Sequence, residues 1–393
     1  MDEDGSLTRA DRRLPDLIRY QVDVENQQLF CNSRDWENEQ PLDFFRECAA
    51  RSHQISVEVF MLVDAEDLGE EFVPIVQASL AEWRAEYPLL SIALHVILFS
   101  SHGPLSLRFL AAKLNQIADT YLLHSLRFEG VALISGDAEL LAQALHRHAQ
   151  LAIIIIRNCI ERSGRAVLDL ATAISTHPNV RNVAFQMDDA PDQQRMESMA
   201  LLARTPSLRS LDISGWPQEA DLQVFLDAID KRSTSIILNV ADSSRTAINT
   251  FVRLLEQNTK IEALNVPFLN TPQIGALAMA LTSNTTLREL GLGLGYRWEA
   301  DAIEPFSSLL ETSNFTLGKL DFPHAEQSMT QTVHNLWERV QFLLRLNKDF
   351  QRKRLMAPTA NATPKDWKEV VMVSKDDVSA SFYYLSQNPS ILN

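Results

Sequence analysis

Between residues 123 and 322 the apolar positions form short strand-like clusters separated by longer stretches of helical spacing. The cluster reads Leu-x-x-Leu-x-Leu. Its clearest copies are Leu208-Arg-Ser-Leu211-Asp-Ile213 and Leu287-Arg-Glu-Leu290-Gly-Leu292, and Leu317-Gly-Lys-Leu320-Asp-Phe322 ends in an aromatic. Val180 to Phe185 and Ile261 to Val266 are conservative variants, Leu123 to Phe128 and Leu151 to Ile156 extend the series upstream, and Ser235 to Val240 is the weakest copy. The first positions, 123, 151, 180, 208, 235, 261, 287 and 317, are spaced by 28, 29, 28, 27, 26, 26 and 30 residues. A near-constant period marks stacked units, each too small to bury its own apolar face.

The intervening segments predict the partner helices. Leu222, Phe225, Leu226 and Ile229 recur at helical intervals within 218–231, as do Ala247, Ile248, Phe251, Val252 and Leu255 in the next unit. Asp242-Ser243-Ser244 stands where an N-cap belongs, and Thr271-Pro272 sets a capping hydroxyl before a first-turn proline. Helices end in polar loops such as Thr205-Pro206-Ser207, Gln257-Asn258-Thr259 and Ser283-Asn284-Thr285. The expected fold class is α/β: a solenoid, or horseshoe, with parallel strands on its concave face, helices on its convex face and terminal caps. A doubly wound sheet, the competitor, would show varied helix lengths and a phosphate loop instead of a period.

Four segments are expected. Residues 1–50 read as an acidic leader and N-terminal cap, 51–325 as the solenoid, 326–356 as a capping helix, and 357–393 as a linker and C-terminal aromatic segment. Two further strands are predicted at Ile55–Phe60 and Ser91–Ile97, followed by helices over 67–86 and 104–121. The capping helix is expected over 326–354, on Leu336, Val340, Leu343, Leu344 and Leu346. The terminal aromatics Phe382, Tyr383 and Tyr384 are expected to pack back onto it.

The repeat resembles the leucine-rich repeats of the ribonuclease-inhibitor type over about half of the chain. The tail elements Phe342–Asn347 and Trp367–Pro389 look like those that end many uncharacterised repeat proteins of protists, although the glycine expected after the Leu-Asn pair is missing here. The resemblance implies a polar ladder of asparagines at the ninth position of each repeat. Cys159 takes that position in one copy, whereas Asp188, Trp216 and Leu269 occupy it elsewhere, so the ladder is expected to be eroded and the later turns irregular.

A net charge of -15 and a pI near 5.1 disfavour broad attraction to nucleic acid or anionic lipid. Cys31, Cys48 and Cys159 are odd in number and widely spaced, as in a reducing compartment. The acidic start and the shortness of the most apolar run, Leu151–Ile156, predict a cytoplasmic or nuclear protein without a membrane span. The sequons at Asn284, Asn314 and Asn361 are then read as chance.

No catalytic, cofactor or metal site is expected. Gly291-Leu-Gly293-Leu-Gly295 lacks dinucleotide-loop spacing and falls on a repeat strand. His146 and His148, at i and i+2 on a helix end, are read as solvated, and Asp188-Asp189 as turn residues. Because side chains alternate along a strand, the concave column should run Arg127, Ile155, Ala184, Asp212, Asn239, Asn265, Gly291 and Asp321. Ser125, Ile153, Asn182, Ser210, Ile237, Ala263, Glu289 and Lys319 should flank it. Ile153 and Ile155, then Ile236 and Ile237, are its apolar entries, and Arg157, Trp216 and Trp298 are added as candidate contacts beyond the strands. The function expected is a monomeric, non-catalytic scaffold that holds a protein partner. The alternatives are a GTPase regulator using Arg127 or Arg157, and a ubiquitin-ligase substrate receptor using residues 14–48, where Leu14–Ile18 resembles the opening of an F-box.

Overall fold

A computed structural model describes residues 21–23, 28–32, 56–64, 85, 91–99, 104–118, 123–161, 165–185, 192–214, 219–241, 252, 255–256, 258–267, 271–293, 300–321, 330–348, 379–380 and 382–383. The chain forms two compact units, Met1–Thr234 and Ser235–Asn393.

In the first unit the strands β1 (Gln21–Asp23), β2 (Gln28–Asn32), β3 (Ser56–Asp64), β4 (Ser91–Phe99), β6 (Leu123–Glu129), β8 (Ile153–Arg157), β10 (Asn182–Phe185) and β11 (Ser210–Ser214) lie side by side in that order. All neighbours are parallel except the β1–β2 hairpin. A second parallel sheet joins β5 (Leu105–Ser106), β7 (Ala132–Ile134) and β9 (Ile160–Glu161). The helices α1 (Leu107–Ala118), α2 (Ala138–Arg147), α3 (Ala166–Ser175), α4 (Asp192–Arg204) and α5 (Glu219–Asp230) pack each against the next.

The alternation expected of a half-covered sheet is present. Leu126 and Phe128 of β6 and Ile154 and Ile156 of β8 are buried, while Arg127, Ile153 and Ile155 between them are half-buried. Each fully buried branched side chain contributes about 2 kcal/mol. On the helices Leu110, Leu114 and Ile117 of α1 and Leu141, Ala144 and Leu145 of α2 supply the other half of the core. Asp137 caps α2 by accepting from the Glu139 and Leu140 amides at 3.0 and 3.2 Å. Between long and short strands the chain turns at Gly130 and Asn158, which have φ of 65° and 52°. The pairing of Glu129 with Arg157 makes these equivalent positions, filled by the two residue types that best tolerate left-handed backbone.

The second unit repeats the scheme with β12 (Ile236–Ala241), β13 (Ile261–Pro267), β14 (Glu289–Gly293) and β15 (Lys319–Asp321), all parallel. Its helices α6 (Thr271–Ser283), α7 (Ala300–Thr312) and α8 (Gln331–Asn347) again pack in sequence. Helix α8 is shorter than the 326–354 expected because the Thr330 hydroxyl accepts from Val333 N at 3.4 Å and caps it there. The expected return of the tail is seen in Tyr383, whose ring meets Phe342 edge-on at 5.8 Å, whereas Phe382 is exposed.

From the cluster at 151 onward, a buried polar side chain marks the turn from helix to strand, three residues before the first position of the cluster. In the second unit it is asparagine. Asn284 Oδ1 accepts from Thr286 N (3.0 Å) and Leu287 N (2.9 Å), while its Nδ2 donates to Leu255 O (2.9 Å) and Asn258 O (3.0 Å) of the preceding turn. Asn314 repeats this with Thr316 N, Leu317 N, Leu281 O and Asn284 O, and Asn347 donates to Asn314 O and Leu317 O.

In the first unit other chemistries fill the same rung. His148 Nδ1 accepts from Leu123 N (3.3 Å) and its Nε2 meets Leu114 O (3.0 Å). His177 Nδ1 accepts from Asn179 N and Val180 N (3.2 Å each), and its Nε2 meets Leu145 O (3.1 Å). At the next such position Thr205 is buried and its hydroxyl donates to Leu201 O within its own helix, and Arg232, 4% exposed, donates to Ala203 O, Thr205 O and Leu208 O.

Three expectations change accordingly. His148 is fully buried rather than solvated; only His146 is exposed. A polar ladder exists at the helix-to-strand turn, and the two ninth positions among the described residues, Val131 and Cys159, are buried. Two of the sequons are structural: Asn284 and Asn314 are rungs whose Nδ2 atoms are hydrogen-bonded inside the protein, and the residue two places on supplies an amide to each. Asn361, the segment 14–18, Asp188, Asp189 and Leu269, the tail beyond Tyr383, and all but residues 85, 252 and 255 of the helices expected over 67–86 and from Ala247 lie outside the described residues.

Candidate interaction surface

The face of each sheet opposite the buried leucines is built from the alternate residues of every strand. In the first unit one row pairs His95, Ser125, Ile153, Asn182 and Ser210 in sequence, and the next pairs Ile97, Arg127, Ile155, Ala184 and Asp212. These are the expected column and flank, extended by one strand. Ile97, Ile153 and Ile155 are half-buried and form its apolar middle, and Asn182 is exposed beside it.

Charged groups gather around this middle. Arg127 donates through Nη2 and Nε to Glu129 Oε2 at 2.6 and 2.9 Å, and Asn158 Nδ2 donates to Glu129 Oε1 at 2.9 Å. Arg127 is thereby held, with 32% of its side chain exposed. Two guanidinium donors on one carboxylate oxygen, with Asn158 holding the other, fix this pair more firmly than a single-contact surface ion pair. Burial raises the Asp212 carboxyl above the usual carboxylate range, and the Arg157 guanidinium opposes that shift. Arg157 Nε is buried and meets no hydrogen-bond partner among the described residues. At the other end of the rows His95 Nδ1 lies 2.7 Å from Ser125 Oγ, and the His124 ring stands edge-on to His95 at 5.3 Å.

In the second unit the rows run Asn239, Asn265, Gly291, Asp321 and Ile237, Ala263, Glu289, Lys319. Asn265 Nδ2 donates to Asn239 Oδ1, and a Cβ at position 291 would strike Asn265 Oδ1, so Gly291 makes room for an amide lying flat across the strands. Lys319 Nζ sits 3.6 Å from Glu289 and 3.8 Å from Asp321, all well exposed and worth little to stability. Ile237 is 40% exposed, but Ile236 is buried, because side chains alternate along the strand and Ile236 shares the core face with Leu238. Trp216 and Trp298 lie outside the described residues.

Sequence reasoning did not single out His95, Ile97, Glu129 or Asn158, although extending the alternation one strand upstream reaches the first two. Cys159 Sγ, buried, donates to Arg157 O at 3.3 Å, and burial pushes its thiol up to about 12. Among the described residues no three His, Cys, Asp or Glu side chains converge as a metal site, and no helix is long and apolar enough to cross a membrane.

Compared with models of known protein families and with curated proteins, the sequence matches none.

Proposed function

We propose that the chain is a leucine-rich-repeat solenoid of the ribonuclease-inhibitor type that works as a non-catalytic scaffold, holding a protein partner on the open, concave face of its sheet. The observation that carries this reading is the registration of equivalent positions. Arg127, Ile155, Ala184 and Asp212 are consecutive cross-strand partners, as are Asn239, Asn265, Gly291 and Asp321. Such a face varies at one side chain per repeat without disturbing the core, which suits recognition.

The first unit offers the better anchor. An apolar centre at Ile153 and Ile155 with hydrogen-bonding groups at Asn182 and Ser210 suits a partner that inserts an apolar side chain and pairs its polar rim. No cofactor is invoked, and the cytoplasm is the compartment proposed. Affinity capture from the native cell, run in parallel with Asp212→Arg and Ile155→Glu, tests the reading. The wild-type chain should recover a partner that the folded variants lose; undiminished recovery by both variants would remove this face from the account.

A further inference from the structure

The rungs of the two units differ in one chemical property. Asn258, Asn284, Asn314 and Asn347 carry amides, which do not titrate, whereas two consecutive rungs of the first unit are imidazoles. Both rings are used alike. His148 Nδ1 accepts from Leu123 N while Nε2 donates to Leu114 O, and His177 Nδ1 accepts from Asn179 N and Val180 N while Nε2 donates to Leu145 O. These roles require the neutral ring with its proton on Nε2. A second proton would sit on Nδ1, facing backbone N–H groups about 3.2 Å away, and would replace attraction by repulsion at a buried site.

His177 faces the His146 ring of α2 at 5.3 Å, and on its other side Ser207 Oγ donates to the His177 carbonyl. Next to His148, Arg147 spends its guanidinium on Asn115 O, and on α1 the Lys113 ammonium lies over the Phe109 ring. Burial first, and His146 second, hold the His177 imidazole below its ordinary value of 6.5.

We propose that His148 and His177 form an acid-sensitive clasp, which ties the repeats of α1, α2 and α3 together in neutral solution and loosens them in mildly acidic solution. The sign follows from linkage at His177, whose folded ring binds its proton less readily than the unfolded one. The stabilisation is therefore complete above 6.5 and lost as the pH falls through the lowered folded value. The second unit, with amide rungs, keeps its ladder over the same range.

Hydrogen exchange of the full chain at pH 7.5 and 5.5, corrected for intrinsic rates, tests this. The amides of Leu123, Asn179 and Val180 should lose protection by at least about tenfold on acidification. The double variant His148→Asn/His177→Asn, built on the Asn284 arrangement, should not show this loss, and an equal loss in wild type and variant overturns the clasp. Should the variant not fold, nitrogen chemical shifts of the wild-type imidazoles decide. Nε2–H tautomers for both rings at pH 7.5, with His177 titrating below 6.5, support the clasp, and Nδ1–H tautomers or a His177 titration at or above 6.5 overturn it.

Discussion

Asn314 Nδ2 lies 3.1 Å from the backbone oxygen of Asn284, so the side chain that orders one helix-to-strand turn also satisfies the corresponding turn of the repeat before it. Asn284 does the same for Asn258, and Asn347 for Asn314. Leucine packing sets the spacing of the repeats, and the rungs make adjacent turns depend on one another.

Replacing Asn314 by alanine removes two donated and two accepted bonds and strands buried backbone groups. Stability should fall by roughly 2–4 kcal/mol, read as a lower denaturation midpoint. Asn314→Asp should cost a similar amount at neutral pH, because its carboxylate would face the Leu281 and Asn284 oxygens. An unchanged midpoint for the alanine variant would mean the rung is ornamental.

Arg232 reaches three carbonyl oxygens with one planar fork, and its Nε also meets Thr234 O at 3.2 Å. Lysine carries the charge on a single point and cannot span them. Arg232→Lys should therefore destabilise the chain by about 2 kcal/mol or more in urea titration, despite conserving charge.

Asp212 titrates above its ordinary value of 3.8 because it is partly desolvated. A carboxyl whose folded value is raised weakens the folded state above 3.8 and ceases to do so below it. Asp212→Asn should raise the melting temperature at pH 7, with the advantage disappearing by pH 3; a lower melting temperature at pH 7 would show that Arg157 pairs with it more strongly than burial opposes it.

The strands from β6 onward were legible because buried leucines recur with a fixed period and side chains alternate; the Arg127 to Asp212 row follows from those two facts. The ladder was not legible, because the resemblance directs attention to the ninth position and the buried polar residues stand elsewhere. Three positions before the clusters from 151 onward, histidine, arginine and asparagine bond to the backbone of the helix-to-strand turns by different chemistry, so identity hides a common role. Strands β5, β7 and β9, only two or three residues long, carry too few alternations to register as a pattern. The β1–β2 hairpin, of three and five residues, stands within the segment read only as a leader and cap.

Cys159 is buried with its thiol raised to about 12, so at pH 8 only about one molecule in ten thousand carries the thiolate. Peptide mass spectrometry after iodoacetamide treatment should find Cys159 unlabelled in the native protein and labelled in denaturant. Rapid native labelling would show that the β8–β9 turn opens.

The most direct test of the proposed scaffold compares two faces of the first unit against its purified partner by calorimetric titration. Ile155→Glu, on the open face, should weaken binding by about 100-fold or more, as loss of a central apolar anchor does. Val224→Glu, on the 49% exposed side of α5, should leave the affinity within about twofold. The reverse order, with Val224→Glu abolishing binding and Ile155→Glu tolerated, would place the partner on the helices and contradict the account.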